Sequence, residues 1–211
     1  MEEICQGPCL NKWKHRIGIA KNDLDEELIR ACQAGDREAF RALYDRFKRK
    51  VYSLALYMTG DAELAKDLTQ EIFVKVFRDI RMFRFESKFS SWLYRLSTNT
   101  CLNALRTRRS LREVGIDEVI GTSAEISAND SPEDREMRSS IRQAVGRAIL
   151  TLTPPLRAVV VLRYIEGLSY GDIAEALSCS EGTVASRLSR AHRLLERQLR
   201  SWHPLPLRED A

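Results

Sequence analysis

Arginine side chains recur at helical spacing near the C-terminal end of the sequence. Ser186, Arg190, Arg193 and Arg197 are three or four residues apart, which places them on one side of a helix, and Arg187 lies beside them. We call this group the arginine face. Guanidinium groups hydrogen-bond both to phosphates and to guanine edges in the major groove. The spacing therefore indicates a helix that binds double-stranded nucleic acid; the alternative is a basic surface that contacts only solvent.

The residues around the arginine face predict a helix-turn-helix. Ser169 and Asp172 have capping-box spacing at the start of a short helix, and Ser180 is suited to cap a second helix directly after it. An earlier helix is predicted to start at Pro154 and to end at Gly167. Four apolar residues form one stripe on the last of these helices: Val184, Leu188, Ala191 and Leu195. Burial of that stripe would leave the arginine face free to enter the major groove.

A second basic region, residues 81–112, mixes bases with aromatic residues, and we call it the basic–aromatic segment. Its bases are Arg81, Arg84, Lys88, Arg95, Arg106, Arg108, Arg109 and Arg112. Its aromatic residues are Phe83, Phe85, Phe89, Trp92 and Tyr94. Basic side chains follow a phosphate backbone and aromatic rings stack on unpaired bases, so this mixture is typical of a single-strand site. Burial in a core would explain several aromatic residues, but not the concentration of bases.

An acid–amide cluster, formed by Asp67, Gln70 and Glu71, lies on a helix predicted over about residues 62–83, with Asp61 as its N-cap. The apolar side of that helix consists of Leu64, Leu68, Ile72, Val76 and Ile80, widened by Phe73 and Phe77. Glu71 and Lys75 have the spacing of a favourable ion pair. The spacing supports two interpretations equally: the charged side chains stabilise the helix, or the cluster docks on a partner.

Residues that commonly perform catalysis or bind metals are sparse. The chain has three histidines: His15, His192 and His203. None lies in a metal-binding or nucleophile motif. Tyr170 and Asp172 resemble an acid–base pair, but capping explains Asp172 more simply. Cys5 and Cys9 are a weak candidate for a metal site, because their spacing is loose and a fourth ligand is missing. We therefore expect no catalytic residue and no cofactor.

The composition limits the class of protein. With 211 residues, 44% of them apolar, the chain can hold one domain or two small ones. A net charge of +4 is only mildly basic, so a nucleic-acid surface must come from local clusters. Residues 1–22 lack a signal peptide's apolar stretch and no run is long enough to span a bilayer, so we expect a cytoplasmic protein without membrane insertion. Five cysteines argue against a disulfide framework; three are predicted to be buried: Cys32, Cys101 and Cys179.

Helical periodicity covers most of the sequence, and no segment alternates as a β-strand does. Residues 113–134 are acidic and rich in small residues, as in a flexible linker. We predict an all-α chain with two small helical domains, residues 24–112 and 135–200, joined by this linker. Residues 1–23 form an N-terminal extension that is predicted to be disordered, and residues 201–211 form a short tail.

Three segments together resemble the extracytoplasmic function (ECF) sigma factors of the bacterial sigma-70 family. They are residues 67–77, DLTQEIFVKVF; residues 89–96, FSSWLYRL, with Asn99; and residues 167–187, GLSYGDIAEALSCSEGTVASR. The resemblance covers about residues 24–199, with both domains in family order, so it is more specific than a lone helix-turn-helix.

The resemblance implies a σ2 domain and a σ4 domain that bind the β′ and β subunits of core RNA polymerase and direct it to promoters. The acid–amide cluster would dock on the clamp coiled coil of β′, which favours docking among the two interpretations. Contacts to a flipped base and the melted −10 strand are implied for Phe83, Phe85, Lys88, Trp92, Arg95, Asn99 and Arg106. Contacts to double-stranded −35 DNA are implied for Ser169, Tyr170, Thr183, Ser186, Arg187, Arg190 and Arg193. An anti-sigma factor is a further implied partner.

Two positions depart from the family pattern. Many members have arginine where this chain has Ala185, and a bulky residue where it has Ser189, so two −35 contacts are missing or altered. The extension with Cys5 and Cys9 lies outside the pattern. The competing hypothesis is a stand-alone helix-turn-helix regulator, which would bind a palindromic site without polymerase. That hypothesis leaves the acid–amide cluster and the basic–aromatic segment unexplained.

Overall fold

The computed structural model describes residues 21–113 and 132–200, and those residues form helices and short connections without a strand, which confirms the all-α prediction. The helices are α1 (Lys21–Gln33), α2 (Arg37–Thr59), α3 (Ala62–Asp79), α4 (Phe89–Glu113), α5 (Pro132–Thr151), α6 (Pro154–Val160), α7 (Tyr170–Ala176) and α8 (Glu181–Leu199). A 3₁₀ turn, Ile80–Met82, follows α3, and a π-helical turn, Val161–Ile165, continues α6. Cys5, Cys9 and nearly all of the predicted linker lie outside the described residues, and the domain boundaries stay predictions.

Local capping sets the junction between α2 and α3. Gly60 ends α2 in the left-handed conformation, with φ of 73°, and its N–H donates to the Leu56 carbonyl at 2.8 Å. The Asp61 carboxylate then accepts from the backbone N–H groups of Glu63 and Leu64, each at 3.1 Å, as the sequence predicted. A Cβ at Gly60 would lie 2.6 Å from the Leu150 side chain, so the absence of a side chain here also lets α5 approach.

Helices α1 to α4 form the first helical unit, in which α2 packs against the other three. The predicted apolar side of α3 is buried at Leu68, Ile72 and Val76 and continues to Ile80 in the 3₁₀ turn. Phe77 is different: it is 62% exposed, so its assignment to the buried side was wrong. Phe77 follows Gln70 by seven residues, about two turns, and therefore returns to the exposed side of the helix.

Helices α5 to α8 form the second unit, which contains the predicted helix-turn-helix, α7 and α8. Ser169 caps α7 by accepting from the Asp172 N–H at 3.1 Å, and Ser180 caps α8 by accepting from the Thr183 N–H at 3.2 Å. The predicted α8 stripe is fully buried at three positions, Val184, Leu188 and Ala191, while Leu195 is half-buried. The interior stripe and both caps confirm the sequence prediction for this motif.

One buried arginine joins the two helical units. The Arg157 guanidinium donates to the carbonyl of Met58 in α2, and to the carbonyls of Leu150 and Leu152 at 2.6 and 3.0 Å. Met58 and Leu150 lie in the last turns of α2 and α5, where carbonyls lack intrahelical partners and the helix dipoles are negative. Two helix ends thus stabilise the cation in place of a carboxylate, and burial lowers the pKa of Arg157.

Candidate functional site

The acid–amide cluster is fully on the surface of α3. Asp67, Gln70 and Glu71 are all exposed. The Glu71 carboxylate pairs with Lys75 Nζ at 2.7 Å, and Lys75 Nζ also donates to Thr100 Oγ1 of α4 at 3.1 Å. The predicted ion pair is therefore present. Asp67 and Glu71 also line an open cavity of about 620 Å³ between α3 and α4, which leaves both carboxylates accessible to a partner.

Two exposed apolar side chains extend this cluster along α3. Val74 is 68% exposed and Phe77 is 62% exposed, and both share a side of the helix with Gln70. The Phe77 ring retains one edge contact, with Phe40 at 5.0 Å between centroids. We call the cluster together with Val74 and Phe77 the docking face. Sequence reasoning missed its apolar part, although the seven-residue interval from Gln70 to Phe77 carried that information.

A second cavity, of about 210 Å³, lies where α3 ends and α4 begins, and we call it the base cavity. Three of its side chains come from one face of α4: Trp92, Arg95 and Asn99. The others are Asp79 at the end of α3, Met82 in the 3₁₀ turn and Leu96. The structure thus brings together three residues that the sequence assigned to unpaired DNA. Asp79 and Met82 were not in that assignment, because their proximity depends on how α3 meets α4.

The aromatic residues beside the base cavity pack mainly against one another. Phe83 is 6% exposed, and its ring has edge contacts with Phe85 at 4.9 Å and with Phe89 at 5.5 Å. Trp92 is half-buried and its ring lies 5.7 Å from that of Phe83. The Phe83 ring therefore supports the cavity from inside and is not available for stacking on a base. Among the described residues that line the base cavity, Trp92 is the one aromatic side chain.

The loop before α4 is held in an uncommon conformation. Phe85 has a φ of 58°, a region that non-glycine residues rarely adopt, and the Arg30 guanidinium lies 4.6 Å from its ring. Gln33 of α1 secures the preceding turn, because its Nε2 donates to the carbonyls of Ile80 and Phe83 at 2.9 and 2.8 Å. These contacts fix the wall of the base cavity before any ligand arrives. Arg106, by contrast, lies two turns beyond Asn99 and does not line this cavity.

The arginine face is open to solvent on α8. Ser186, Arg190, Arg193 and Arg197 are exposed, and Arg187 is half-buried. Within the described residues, the guanidinium groups of Arg187, Arg190 and Arg193 have no hydrogen-bond or ion-pair partner. The face therefore offers unused donors at the side of the helix-turn-helix that faces away from its core.

The other candidates for duplex contacts lie near the caps. Thr183 Oγ1 is 2.9 Å from Ser180 Oγ, and its carbonyl accepts from Ser186 Oγ at 3.0 Å. Tyr170 is 38% exposed, with the Arg163 guanidinium 5.3 Å from its ring. Ser169 Oγ donates to the Asp172 carboxylate at 2.6 Å. Ser169 therefore caps α7, and Thr183 contacts the Ser180 cap of α8, and neither arrangement depends on nucleic acid.

The segment beside the base cavity contacts the first helix of the helix-turn-helix. Lys88 Nζ, beside the base cavity, pairs with the Asp172 carboxylate of α7 at 2.9 Å. Deeper in the same contact, the Tyr94 hydroxyl donates to Glu166 Oε2 at 2.7 Å. Bonds from Ser169 and Lys88 lower the pKa of Asp172, whereas burial raises the pKa of Glu166. The charged Lys88 is thus paired within the chain, and α7 covers the start of α4.

Comparison with known proteins identifies the family. Residues 43–111 match Sigma-70 region 2, and residues 142–195 match Sigma-70, region 4. The chain is 36% identical to the RNA polymerase sigma-H factor of Pseudomonas aeruginosa over 182 residues, which cover 83% of this chain and 93% of that protein. It is 34% identical to the ECF RNA polymerase sigma-E factor of Haemophilus influenzae, over 86% of this chain and 98% of that protein. The chain belongs to the ECF sigma factors.

Solved structures share the fold of this ECF sigma factor. The sigma factor RpoE from Bartonella quintana, solved in complex with the anti-sigma factor NepR, superimposes with a TM-score of 0.63 at 21% identity, over 78% of this chain and 98% of that chain. CnrH, solved with the cytosolic domain of CnrY, gives a TM-score of 0.64 at 22% identity, over 85% and 99%. At these sequence identities, the two comparisons establish a shared fold.

The two matched regions divide the candidate surfaces of the ECF sigma factor between them. Region 2 contains the docking face and the base cavity, and region 4 contains the arginine face except Arg197, which lies two residues beyond the match. Among residues 21–113 and 132–200, no helix has the length and apolar character needed to cross a bilayer. The same residues include no group of three or more His, Cys, Asp or Glu side chains arranged to hold a metal ion.

We expect Glu166→Gln to stabilise this ECF sigma factor at neutral pH. Because burial raises the pKa of Glu166, the protonated side chain contributes most to the stability of the fold. That contribution is lost as pH rises through the pKa of Glu166 in the folded protein. Glutamine keeps an acceptor for Tyr94 without a buried charge. Thermal unfolding should therefore occur roughly 2–4 °C higher in the variant at about pH 7.5.

The pH dependence shows whether the higher unfolding temperature of Glu166→Gln comes from removal of the buried charge. The difference between the two proteins should shrink as pH falls towards the ordinary range of a glutamate carboxyl, because protonation then removes the charge from Glu166 itself. The pKa values of Asp61, Asp79 and Asp172 are lowered, so their contribution to the stability of the fold is lost as pH falls. That loss is the same in the wild type and in the variant. A constant difference across this pH range would contradict the assigned role of Glu166.

Proposed function

We propose that this ECF sigma factor binds core RNA polymerase through its docking face and directs it to promoters through two DNA contacts. The observation that carries the proposal is that the chain presents three separate surfaces: an acidic and apolar face on α3, the base cavity, and the arginine face. A regulator that binds DNA alone requires only the last of these. The chain contributes no catalytic chemistry of its own in this proposal and acts in the cytoplasm.

Docking on the clamp coiled coil of the β′ subunit is the role proposed for α3. Asp67 and Glu71 supply acceptors for basic side chains, and Gln70 supplies an amide. Val74 and Phe77 add apolar surface that is exposed in the free protein. Interfaces commonly combine such an apolar centre with a polar rim, and apolar residues exposed on a helix favour a partner over solvent.

The base cavity is proposed to capture one unpaired base of the −10 region. Extruding a base from duplex DNA costs a few kcal/mol of stacking, which contacts in a preformed pocket offset. Trp92 offers ring surface, and Arg95 and Asn99 offer polar groups. Phe85, Lys88 and Arg106 would contact the adjoining strand. The buried ring of Phe83 makes it a support for these contacts.

The arginine face is proposed to read the −35 region. Arg187, Arg190 and Arg193 can reach base edges and phosphates, with Ser169, Tyr170, Thr183 and Ser186 beside the backbone. Joining two moderate DNA contacts on one polymerase raises their joint affinity through effective concentration. The buried Arg157 contacts, the Tyr94–Glu166 bond and the exposed Lys88–Asp172 pair together join the two DNA-binding units in the free chain, so we expect weak promoter binding until core polymerase separates them.

An anti-sigma factor is a proposed further partner, which would keep the two units together until a stress or another signal releases them. The family supports this part of the proposal. RpoE of Bartonella quintana was solved with the anti-sigma factor NepR, although that likeness concerns the fold.

Transcription in vitro tests the proposal. The purified chain is added to bacterial core polymerase with a pool of promoter fragments, and binding of the free chain to the selected fragments is measured in parallel. We expect specific transcripts only when chain and core are both present, and weak binding by the chain alone. Tight binding of a palindromic site without polymerase, with no transcripts, would instead support the stand-alone regulator.

A further inference from the structure

The base cavity contains one acidic side chain that the docking and stacking roles do not explain. Asp79 is the last residue of α3, and its side chain is 17% exposed while lining the cavity beside Trp92 and Asn99. A surface meant only to attract DNA would exclude a carboxylate, because phosphates repel it. Its presence among Arg95 and Asn99 therefore calls for a specific role.

Asp79 does not serve the stability of its own helix. A carboxylate in the last turn lies at the negative end of the helix dipole, which disfavours it. Arg78 offsets this effect with two bonds, Nε to Oδ1 at 2.7 Å and Nη2 to Oδ2 at 2.9 Å. These bonds also lower the pKa of Asp79, which keeps it ionised at neutral pH. Arg78 is 71% exposed, so the pair itself stabilises the fold little.

The ionised carboxylate keeps capacity for a ligand. Each carboxylate oxygen has about two acceptor positions, and Arg78 occupies one on each. On α4, Arg95 and Asn99 are exposed, and no other described side chain or backbone group is hydrogen-bonded to their side chains. The cavity thus combines unused acceptors from Asp79 with unused donors from Arg95 and Asn99, around the Trp92 ring and the Met82 side chain.

The four bases differ in what they offer such a cavity. Adenine, cytosine and guanine each carry an exocyclic amino group, which donates to a carboxylate, as in the pairing of Asp or Glu with the cytosine amine. Thymine has no exocyclic amine; its one donor on that edge, N3–H, lies between two carbonyl oxygens, which repel the second oxygen of a carboxylate. Ring nitrogens and carbonyls of the amino-bearing bases can accept from Arg95 or Asn99 at the same time.

We propose that Asp79 is a specificity-determining residue, which makes the base cavity select an unpaired base with an exocyclic amino group and reject thymine. This inference rests on the proposed capture of a −10 base in the same cavity. It assigns to Asp79 the choice among bases, while Trp92 provides stacking that every base can use.

The test uses holoenzyme assembled from core polymerase and the full chain. Templates carry a preformed bubble over the −10 strand, and an abasic scan first identifies the position whose base contributes most to initiation. Four templates then differ only in the base at that position. Initiation is compared for the wild type, Asp79→Asn, Asp79→Ala and the control Asp45→Asn, which alters an exposed, ion-paired acid of α2.

We expect the wild type to initiate roughly 10-fold better on its preferred amino-bearing template than on the thymine template, within the range that one specific base contact provides. Both Asp79 variants should reduce this ratio to below about 3-fold, mainly by gaining activity on thymine, and Asp45→Asn should keep the wild-type ratio.

Two results would overturn the inference while leaving the proposed function intact. One is a wild type that initiates equally on all four templates. The other is an Asp79 variant that changes all four by the same factor, which would indicate general repulsion of phosphates. Absence of initiation by the wild type on every template would instead refute the proposed function, and the inference with it.

Discussion

Replacing Asp67, Gln70 and Glu71 together by alanine should abolish transcription directed by this ECF sigma factor. The three side chains are exposed on one part of α3, and in the proposed function they contact core polymerase directly. Interface residues of this kind contribute unequally, but loss of a polar cluster at the centre of an interface costs about 3–5 kcal/mol, roughly a thousandfold in Kd. Retention of the chain on immobilised core polymerase and transcripts from the selected promoter are the two readouts.

The same substitution should leave the fold almost unchanged. Exposed side chains away from caps and cores usually alter the free energy of unfolding by less than about 0.5 kcal/mol each. The Glu71–Lys75 pair is exposed on its acidic side and contributes little. Lys75 keeps its bond to Thr100 in the variant. Unfolding by denaturant should therefore coincide with that of the wild type.

A matched control removes the same number of negative charges elsewhere. Glu26→Ala with Glu196→Ala deletes two exposed, ion-paired acids on α1 and α8. This control should bind core polymerase and support transcription as the wild type does. If the control and the cluster variant lose activity equally, the effect follows net charge and α3 is not the docking helix.

Phe77→Ser, as a separate variant, reports whether the apolar part of the docking face contributes to binding of core polymerase.

Much of the fold was predictable because its determinants are local. Asp61, Ser169 and Ser180 each cap a helix within three residues of themselves, so their sequence context was sufficient. The α8 stripe was likewise readable from spacing, since the burial of Val184, Leu188 and Ala191 depends on one helix having one apolar side. The exposure of the arginine face follows from the same pattern.

Most of the features that were missed depend on contacts between different helices. Asp79 and Met82 line the base cavity because the end of α3 lies close in space to the start of α4. The spacing of residues along either helix does not contain that information. The contact of Lys88 with Asp172 spans 84 positions. Phe77 was misassigned for a different reason: an apolar residue at the border of a stripe was taken as core, whereas an exposed apolar residue is ordinary at a surface that binds a partner.

Arg157 accounts for the largest predicted effect on stability. Arg157→Met keeps the length of the side chain but leaves the carbonyls of Met58, Leu150 and Leu152 without their donor. Buried acceptors without partners are costly, and we expect a loss of about 2–4 kcal/mol in the free energy of unfolding. Denaturant unfolding measures this loss, and Arg41→Met, at an exposed position of α2, provides the control.

The consequence for DNA binding distinguishes Arg157 from an ordinary core residue. Its partners belong to both helical units, so its loss should weaken their contact more than either unit alone. Fluorescence transfer between labels on α3 and α8 should then decrease, and promoter DNA binding by the free chain should increase, because the two units can then separate and Lys88 is no longer paired with Asp172. A variant that is less stable but shows unchanged transfer would place the effect of Arg157 within the second unit. In that case α2 and α6 are held together mainly by their apolar contacts, and separation of the two units requires the surface of core polymerase rather than the loss of one cation.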